Sequence, residues 1–377
     1  MGDIGNAGAM AGAITATTSD PYADIVVGVF PGEGIGPEVV DAALAVLDVL
    51  SSATSRRIDV RRGGAIGTEA LRLRGKSLTE EAVAFAEATF ADRGALFCGA
   101  GGARFVYELR ARFDLFCKLT PLQPSPELAD ATLLRAERLL GVDIVAVREN
   151  SGGLYFGREQ VFNDASGQTC VEMSFGYRLG EILRILRVAG RLALARCGKV
   201  SVVVKRDGVA AISDLWLKAM EEARQEFGGD WEVLDIDNAA YQLIASPGHF
   251  DVIVSPNMFG DVLADCGSAL LGSRGMSYSG NFSSNGNAVY QTGHGAAYDI
   301  AGTGMANPVG QILSLAMMLE ESFGWAAGAQ LVRKSVARTL ARGVRTADIR
   351  GPHGAVSCQE MAGAICGEMI HLVEAAA

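Results

Sequence analysis

The chain has 377 residues, 49% of them hydrophobic and 20% charged, with 47 glycines and a mean hydropathy of +0.22. That composition excludes intrinsic disorder, and a chain of this length buries roughly 75% of its unfolded surface and usually divides into two domains. A formal net charge of −10 leaves no global basic field for nucleic acid or anionic lipid, so an anionic ligand must be held by a local cluster of cations, helix N-termini or metal.

Taken in chain order, residues 1–23 are acidic and lack a continuous apolar core, and they read as a disordered leader rather than a signal peptide. A strand is expected over 24–30, then a glycine turn and a helix in which Pro37 takes the first position and Val39, Val40, Ala43, Leu44, Leu47 and Leu50 repeat with helical spacing. Further strands are expected over 57–61, 95–98, 115–119, 143–147, 200–205, 233–236 and 251–254. Helices are expected over 78–90, 179–195, 213–227, 259–271, 308–323 and 326–342. Strands separated by helices indicate an α/β protein with a largely parallel or mixed sheet. Residues 150–175 are polar and strand-like without a helix, which suits either a β-hairpin arm clasping a partner subunit or an ordinary surface hairpin. No apolar run is long enough to cross a membrane. The seven cysteines form no CxxC pair and read as reduced, buried thiols of a cytoplasmic protein.

Gly32-Glu33-Gly34-Ile35-Gly36-Pro37-Glu38 opens a helix after a strand, but its glycine spacing is wrong for a Rossmann fingerprint. Alone it reads as a structural turn. In Asn257-Met258-Phe259-Gly260-Asp261-Val262-Leu263-Ala264-Asp265, two carboxylates stand four residues apart, hence on one helix face. Like charges there repel, so a cation is expected between them, and hard oxygen donors suit Mg²⁺ or Mn²⁺. The alternative is a solvated face with arginine partners. Asp237 either completes a three-carboxylate site or caps the helix it begins. Lys205 ends an apolar strand, as a solvated terminus or as a general base of lowered pKa.

Together the segments GEGIGPEVV, VRENSGGLYFGRE, VVVKRDGV, DNAAYQLI, FDVIVSPNMFGDVLAD and HGAAYDIAGTGMANPVGQILSLAMMLE resemble the isocitrate/isopropylmalate dehydrogenase family, in order, from about Ile25 onward. The resemblance implies a two-domain isopropylmalate dehydrogenase-like α/β fold with a mixed sheet, with 24–115 plus 272–377 on the cofactor side and 116–271 as the substrate and dimerisation domain. It implies NAD- and Mg²⁺- or Mn²⁺-dependent oxidative decarboxylation of a 3-substituted malate by a homodimer with shared active sites. Asp261 and Asp265 of one subunit and Asp237 of the other match the metal ligands. Arg110 and Arg148 match carboxylate clamps, Lys205 the base at the C2 hydroxyl, and Tyr155 the acid that protonates C3. Ile35, His294, Gly295, Asp299, Ile300 and Asn307 match cofactor contacts. Asp299-Ile300 is the NAD form, where NADP users resemble the block with Lys-Tyr.

Several positions depart from the family pattern. Thr120 stands where a third substrate arginine is usual, Lys118 where Asn is common, and Asp207 where Asn is usual. Gln291 replaces Glu, Glu33 replaces Asp, and Tyr298 replaces Pro. The counterparts of the pocket for the C3 substituent are Ala103, Val106 and Tyr107, with Arg104 beside them. Arg104 and Lys118 are therefore expected as additional substrate contacts, favouring a polar, anionic or small C3 substituent such as that of tartrate. Isocitrate, homoisocitrate, tartrate or malate oxidation, and a non-catalytic regulatory subunit of the same family, stay open as alternatives.

Overall fold

The computed structural model describes residues 25–349 and 354–375; the leader expected over 1–23 lies outside them. The chain opens with β1 (Ile25–Phe30), α1 (Gly36–Thr54), β2 (Ile58–Arg62), α2 (Gly67–Arg74), α3 (Glu80–Ala91), β3 (Ala95–Cys98) and α4 (Phe105–Arg112). It continues through β4 (Cys117–Leu122), β5 (Ile144–Glu149), β6 (Arg158–Asn163), β7 (Thr169–Ser174), α5 (Leu179–Leu194), β8 (Lys199–Val204) and α6 (Ala210–Phe227). Then come β9 (Asp230–Asp235), α7 (Ile236–Ala245), β10 (Val252–Ser255), α8 (Asn257–Gly267), β11 (Tyr278–Phe282), β12 (Ala288–Thr292), α9 (Val309–Glu321), α10 (Ala326–Ala341) and α11 (Cys358–Glu374).

Ten strands form one mixed sheet in the order β2-β1-β3-β12-β11-β4-β5-β10-β8-β9. The strands β1, β3, β5 and β10 are buried along their whole length, as strands covered on both faces by helices must be. The sheet is parallel at both ends and antiparallel in the middle, where β11 pairs with β12 and β4, and β4 pairs with β5. Strands from 25–98 and 278–292 fill one half and strands from 117–255 the other, meeting where β11 lies beside β4. The strand expected over 115–119 runs instead from Cys117 to Leu122, because its partners β5 and β11 carry it through Pro121. That register sets Lys118 directly opposite Arg148.

The segment from 150 to 175 folds as a separate two-stranded hairpin of β6 and β7. Val161 and Val171 face each other across it and are 68% and 67% exposed, which leaves apolar side chains without cover in the single chain. All seven cysteines are free, with Cys98, Cys117 and Cys358 buried. Cys197 departs from the expected burial, because it sits exposed in the turn after α5. Among the described residues no helix is long and apolar enough to cross a membrane.

Candidate active site

A cavity of about 310 Å³ opens between α4, β4, β5, α8 and the segment after β12, lined by Arg110, Lys118, Arg148, Asp261 and Tyr107 among others. Arg110 stands in the last turn of α4, where a cation suits the helix C-terminus. Lys118 and Arg148 come from facing positions of β4 and β5, a juxtaposition of like charges that costs a sheet stability. The three are only 4%, 7% and 4% exposed, so three cations are largely buried around one cavity. Burial and the neighbouring Arg148 lower the Arg110 pKa to about 9; burial, Arg148 and Arg110 lower that of Lys118 to about 7.

Asp261 is the carboxylate that answers them. It accepts hydrogen bonds from the Arg148 guanidinium and, at 2.9 Å, from the Tyr155 hydroxyl. Burial opposes its ionisation, but Arg148 and Lys118 outweigh that and hold its pKa below the ordinary range. Tyr155 is pushed the other way, to about 12, by burial and by the Asp261 charge, so its hydroxyl stays protonated. The Arg148 side chain can lie flat on α8 because residue 260 is glycine: a Cβ there would stand 2.8 Å from the Arg148 Cβ. Asn257 fixes the arrangement, accepting from Arg148 Nε at 2.9 Å and donating to the Gly152 carbonyl at 2.8 Å.

The remaining expected residues fall into three groups. Asp265 shares the α8 face with Asp261 and pairs with Arg274 at 3.0 Å. Each acid of the pair thus has its own guanidinium rather than one cation between them. Lys205 and Asp237 pair with each other at 2.7 Å, well exposed, and neither lines the cavity. Hydrogen bonding to Asp237 raises the Lys205 pKa, because a solvated carboxylate favours the ammonium; of the two readings the sequence leaves open, the free chain matches the solvated strand terminus rather than the base of lowered pKa. Arg104 is also corrected. It does not line the cavity but donates to the Tyr155 carbonyl at 3.1 Å and lies over the Tyr107 ring, exposed at the rim.

The expected cofactor residues cluster on two loops sewn together. Ile35 N–H donates to the Ala296 carbonyl at 2.8 Å, and Gly34, with φ of +59°, leaves no room for a Cβ, which would meet that carbonyl oxygen at 2.0 Å. Glu33 accepts from the Glu69 N–H at 2.9 Å and from the Tyr298 hydroxyl, so two positions that depart from the family pattern meet each other. His294 and Gly295 line the cavity; burial lowers the His294 pKa, and its Nε2 is buried without a partner. Asp299 is exposed, and Ile300 packs toward Ile35 and Val39. The Asn307 side chain is spent inside the fold: its Oδ1 caps the Val309 N–H at 3.0 Å and its Nδ2 donates to Asp348 at 3.0 Å, so only its backbone is left for a ligand.

The donor chemistry fits the two groups the family resemblance implies. A glycine cradle, an orphaned imidazole nitrogen and a free acid on an exposed loop suit a dinucleotide. Paired carboxylates on one helix face suit a hard cation, although no group of three candidate ligands comes together among the described residues. Tyr107 lines the cavity as one of the counterparts expected for the C3 substituent, whereas Asn257 is not among the expected binding residues. Tyr107 lies three residues before Arg110 on one helical face, a readable signal, whereas the part played by Asn257 depends on the tertiary contact of α8 with β5.

The chain is 42% identical over 339 residues to the 3-isopropylmalate dehydrogenase of Bacillus licheniformis, covering 86% of this chain and 90% of that one. It is 39% identical over 339 residues to that of Bacillus subtilis, covering 86% and 91%. The crystal structure of isocitrate dehydrogenase from Methylococcus capsulatus superposes with a TM-score of 0.82 at 28% identity, over 92% of this chain and 99% of that one. Residues 26–365 match the isocitrate/isopropylmalate dehydrogenase family as a whole, and the chain belongs to that family of decarboxylating dehydrogenases.

Proposed function

We propose that the chain acts as a homodimer with active sites shared between subunits, catalysing NAD-dependent, Mg²⁺- or Mn²⁺-assisted oxidative decarboxylation of a 3-substituted malate. The observation that carries this reading is the convergence of Arg110, Lys118 and Arg148 with Asp261 in a cavity that ends at His294 and Gly295. Arg110 and Lys118 make no hydrogen bond to any described residue, so two of three buried cations await anionic partners, as a dicarboxylate provides. Lys118 lies on the same face of β4 as Thr120, two residues away, and so returns the charge that the missing arginine removes. That supports an active enzyme over a regulatory subunit.

Arg110, Arg148 and Lys118 grip the carboxylates, Arg148 in turn being aimed by Asn257. Lys205 of a second copy takes the C2 hydroxyl proton onto a neutral Nζ, which requires that it first part from Asp237, whose hydrogen bond favours the ammonium, and give up one proton to water. The Tyr155 hydroxyl delivers a proton to C3, and its bond to Asp261 keeps that proton in place until then. Asp261 and Asp265, with Asp237 of the second copy, would hold a divalent ion that polarises a carbonyl and stabilises the charge left by CO₂. Asp299 would accept bonds from the ribose hydroxyls and repel a 2′-phosphate; NAD held there would supply the hydride acceptor. The exposed Val161 and Val171 of the hairpin support its role as a clasping arm, since a lone two-stranded ribbon is marginally stable in water. The meeting of β11 and β4 supports a division into 24–115 plus 272–377 and 116–271, and free thiols suit a reducing compartment such as the cytoplasm.

The test is NADH formation by the purified protein with Mn²⁺ and a panel of malates. We expect activity with NAD that EDTA abolishes, NADP at least tenfold worse, and a narrowed preference in the Asp299→Lys, Ile300→Tyr double variant. Full activity in EDTA, or equal rates with NADP, would overturn the metal or the cofactor assignment respectively.

A further inference from the structure

The glycine turn after β1 and the loop after β12 are joined at two points. Ile35 N–H donates to the Ala296 carbonyl at 2.8 Å, and the Glu33 carboxylate accepts a hydrogen bond from the Tyr298 hydroxyl. Between the two anchors stands Ala297, with φ of +40°. A non-glycine residue in that left-handed region is strained, and stays there only where its surroundings over-determine it. Directly after the second anchor comes Asp299, the exposed acid assigned to the ribose hydroxyls.

The second anchor is firmly seated. Glu33 is only 8% exposed, its N–H donates to the Ala100 carbonyl at 2.7 Å, and its carboxylate also accepts from the Glu69 N–H at 2.9 Å and the Gly102 N–H at 3.3 Å. Residue 102 must lack a Cβ, which would stand 2.7 Å from Glu33 Oε2 and 2.9 Å from the Tyr298 hydroxyl oxygen. The Tyr298 hydroxyl bonds to the Thr68 side chain as well. The tyrosine is 60% exposed and stands outside the apolar cluster of Ile35, Val39, Ala297 and Ile300, so its hydroxyl rather than its ring ties it down. Both residues depart from the family pattern, and the two departures answer each other. Proline at 298 would fix φ through its ring, a restraint that tyrosine lacks. Glutamate at 33 extends its carboxylate one methylene beyond that of aspartate, and its bond to Tyr298 supplies the restraint instead.

We infer that Glu33 and Tyr298 form a clamp of two positioning residues, which holds Asp299 in place for the ribose hydroxyls before the dinucleotide arrives and so sets the preference for NAD over NADP. This rests on the cofactor reading above and says what preorganises that same site. Released from the clamp, the Ala297 backbone relaxes and the loop spends only part of its time in the binding form, which weakens the apparent affinity by that fraction.

The experiment measures Kd for NAD and for NADP by titration calorimetry on the full-length protein, in the unmodified chain, Tyr298→Phe, Glu33→Asp and the double variant. Tyr298→Phe, which keeps the ring, should raise the NAD Kd about tenfold and the NADP Kd far less, so that the preference narrows. In the Glu33→Asp background, where the carboxylate has withdrawn, Tyr298→Phe should add nothing. Without cofactor, hydrogen exchange at the Ile300 and Ala301 amides, which bond to the Ala297 and Tyr298 carbonyls, should quicken in either single variant. An NAD Kd that does not move in Tyr298→Phe, or NAD and NADP affinities that fall in equal proportion, would overturn the clamp while leaving the cofactor reading intact. No binding of NAD by the unmodified protein would overturn both.

Discussion

Arg110, Lys118 and Arg148 are cations confined in one buried cavity, whereas Lys205 and Asp237 form an exposed ion pair on the same chain. In the cavity, burial and mutual repulsion lower the pKa of Arg110 and Lys118; at the exposed pair, a solvated carboxylate raises that of Lys205. The cavity has its surroundings fixed within one subunit, through Asn257, Gly260 and the β4–β5 register. The pair has no such surroundings in its own chain. Identical side-chain chemistry is therefore costly to the fold in one place and nearly free in the other. In the proposed reading, the exposed pair is the one that becomes a site only with a second subunit.

Removing charges should expose that difference, beginning with the cavity. Arg148→Met strands both Asn257 and Asp261, and should cost about 3 kcal/mol of stability, read by denaturant unfolding. Lys118→Met should do the opposite. Below pH 7 the folded chain must hold this ammonium against its environment, while in the unfolded chain it titrates near its ordinary 10.5. The unfolded state therefore binds more protons between about pH 7 and 10.5, and the penalty is full below pH 7 and fades as pH rises through that window. Lys118→Met should stabilise the ligand-free protein by about 1–4 kcal/mol at pH 6, less at pH 9, while weakening substrate binding. A melting temperature that falls at pH 6 would show that Lys118 has an anionic partner in the free protein. Lys205→Met should leave the melting temperature nearly unchanged, since the group is solvated, yet lower kcat by about 10²–10⁴-fold.

The same contrast explains what the sequence could tell. Runs buried on both faces, such as Ile25–Phe30 and Ala95–Cys98, announce their strands, and apolar periodicity announces α5 and α9. The helix α11 and the β11–β12 hairpin were not anticipated, although Ser357 and Glu360 form a capping box and Asn285-Gly286 marks a turn. The short helix α4, which carries both Tyr107 and Arg110, has no side-chain cap and little periodicity, so its helicity comes from packing. Motif matches single out Arg110, Arg148, Tyr155 and Asp261, and the structure brings these together because a strand and two helices hold three of them and a short turn after β5 holds Tyr155. Arg104, expected from its position beside the pocket rather than from a motif, is an exposed side chain at a helix start whose direction no local pattern sets. The sequence likewise leaves the Lys205 pKa open, because it depends on an ion pair with Asp237, 32 residues away.

The central claim is that the cavity of one subunit is completed by Lys205 of another, and subunit complementation tests it most directly. Lys205→Met and Asp261→Asn would each be purified inactive, then unfolded and refolded together in equal amounts. Half of the resulting dimers would be mixed, each with one intact and one doubly altered site, so about a quarter of the unmodified activity should return. If the mixture shows no more activity than the two variants measured separately, Lys205 serves its own subunit and the shared-site account is wrong.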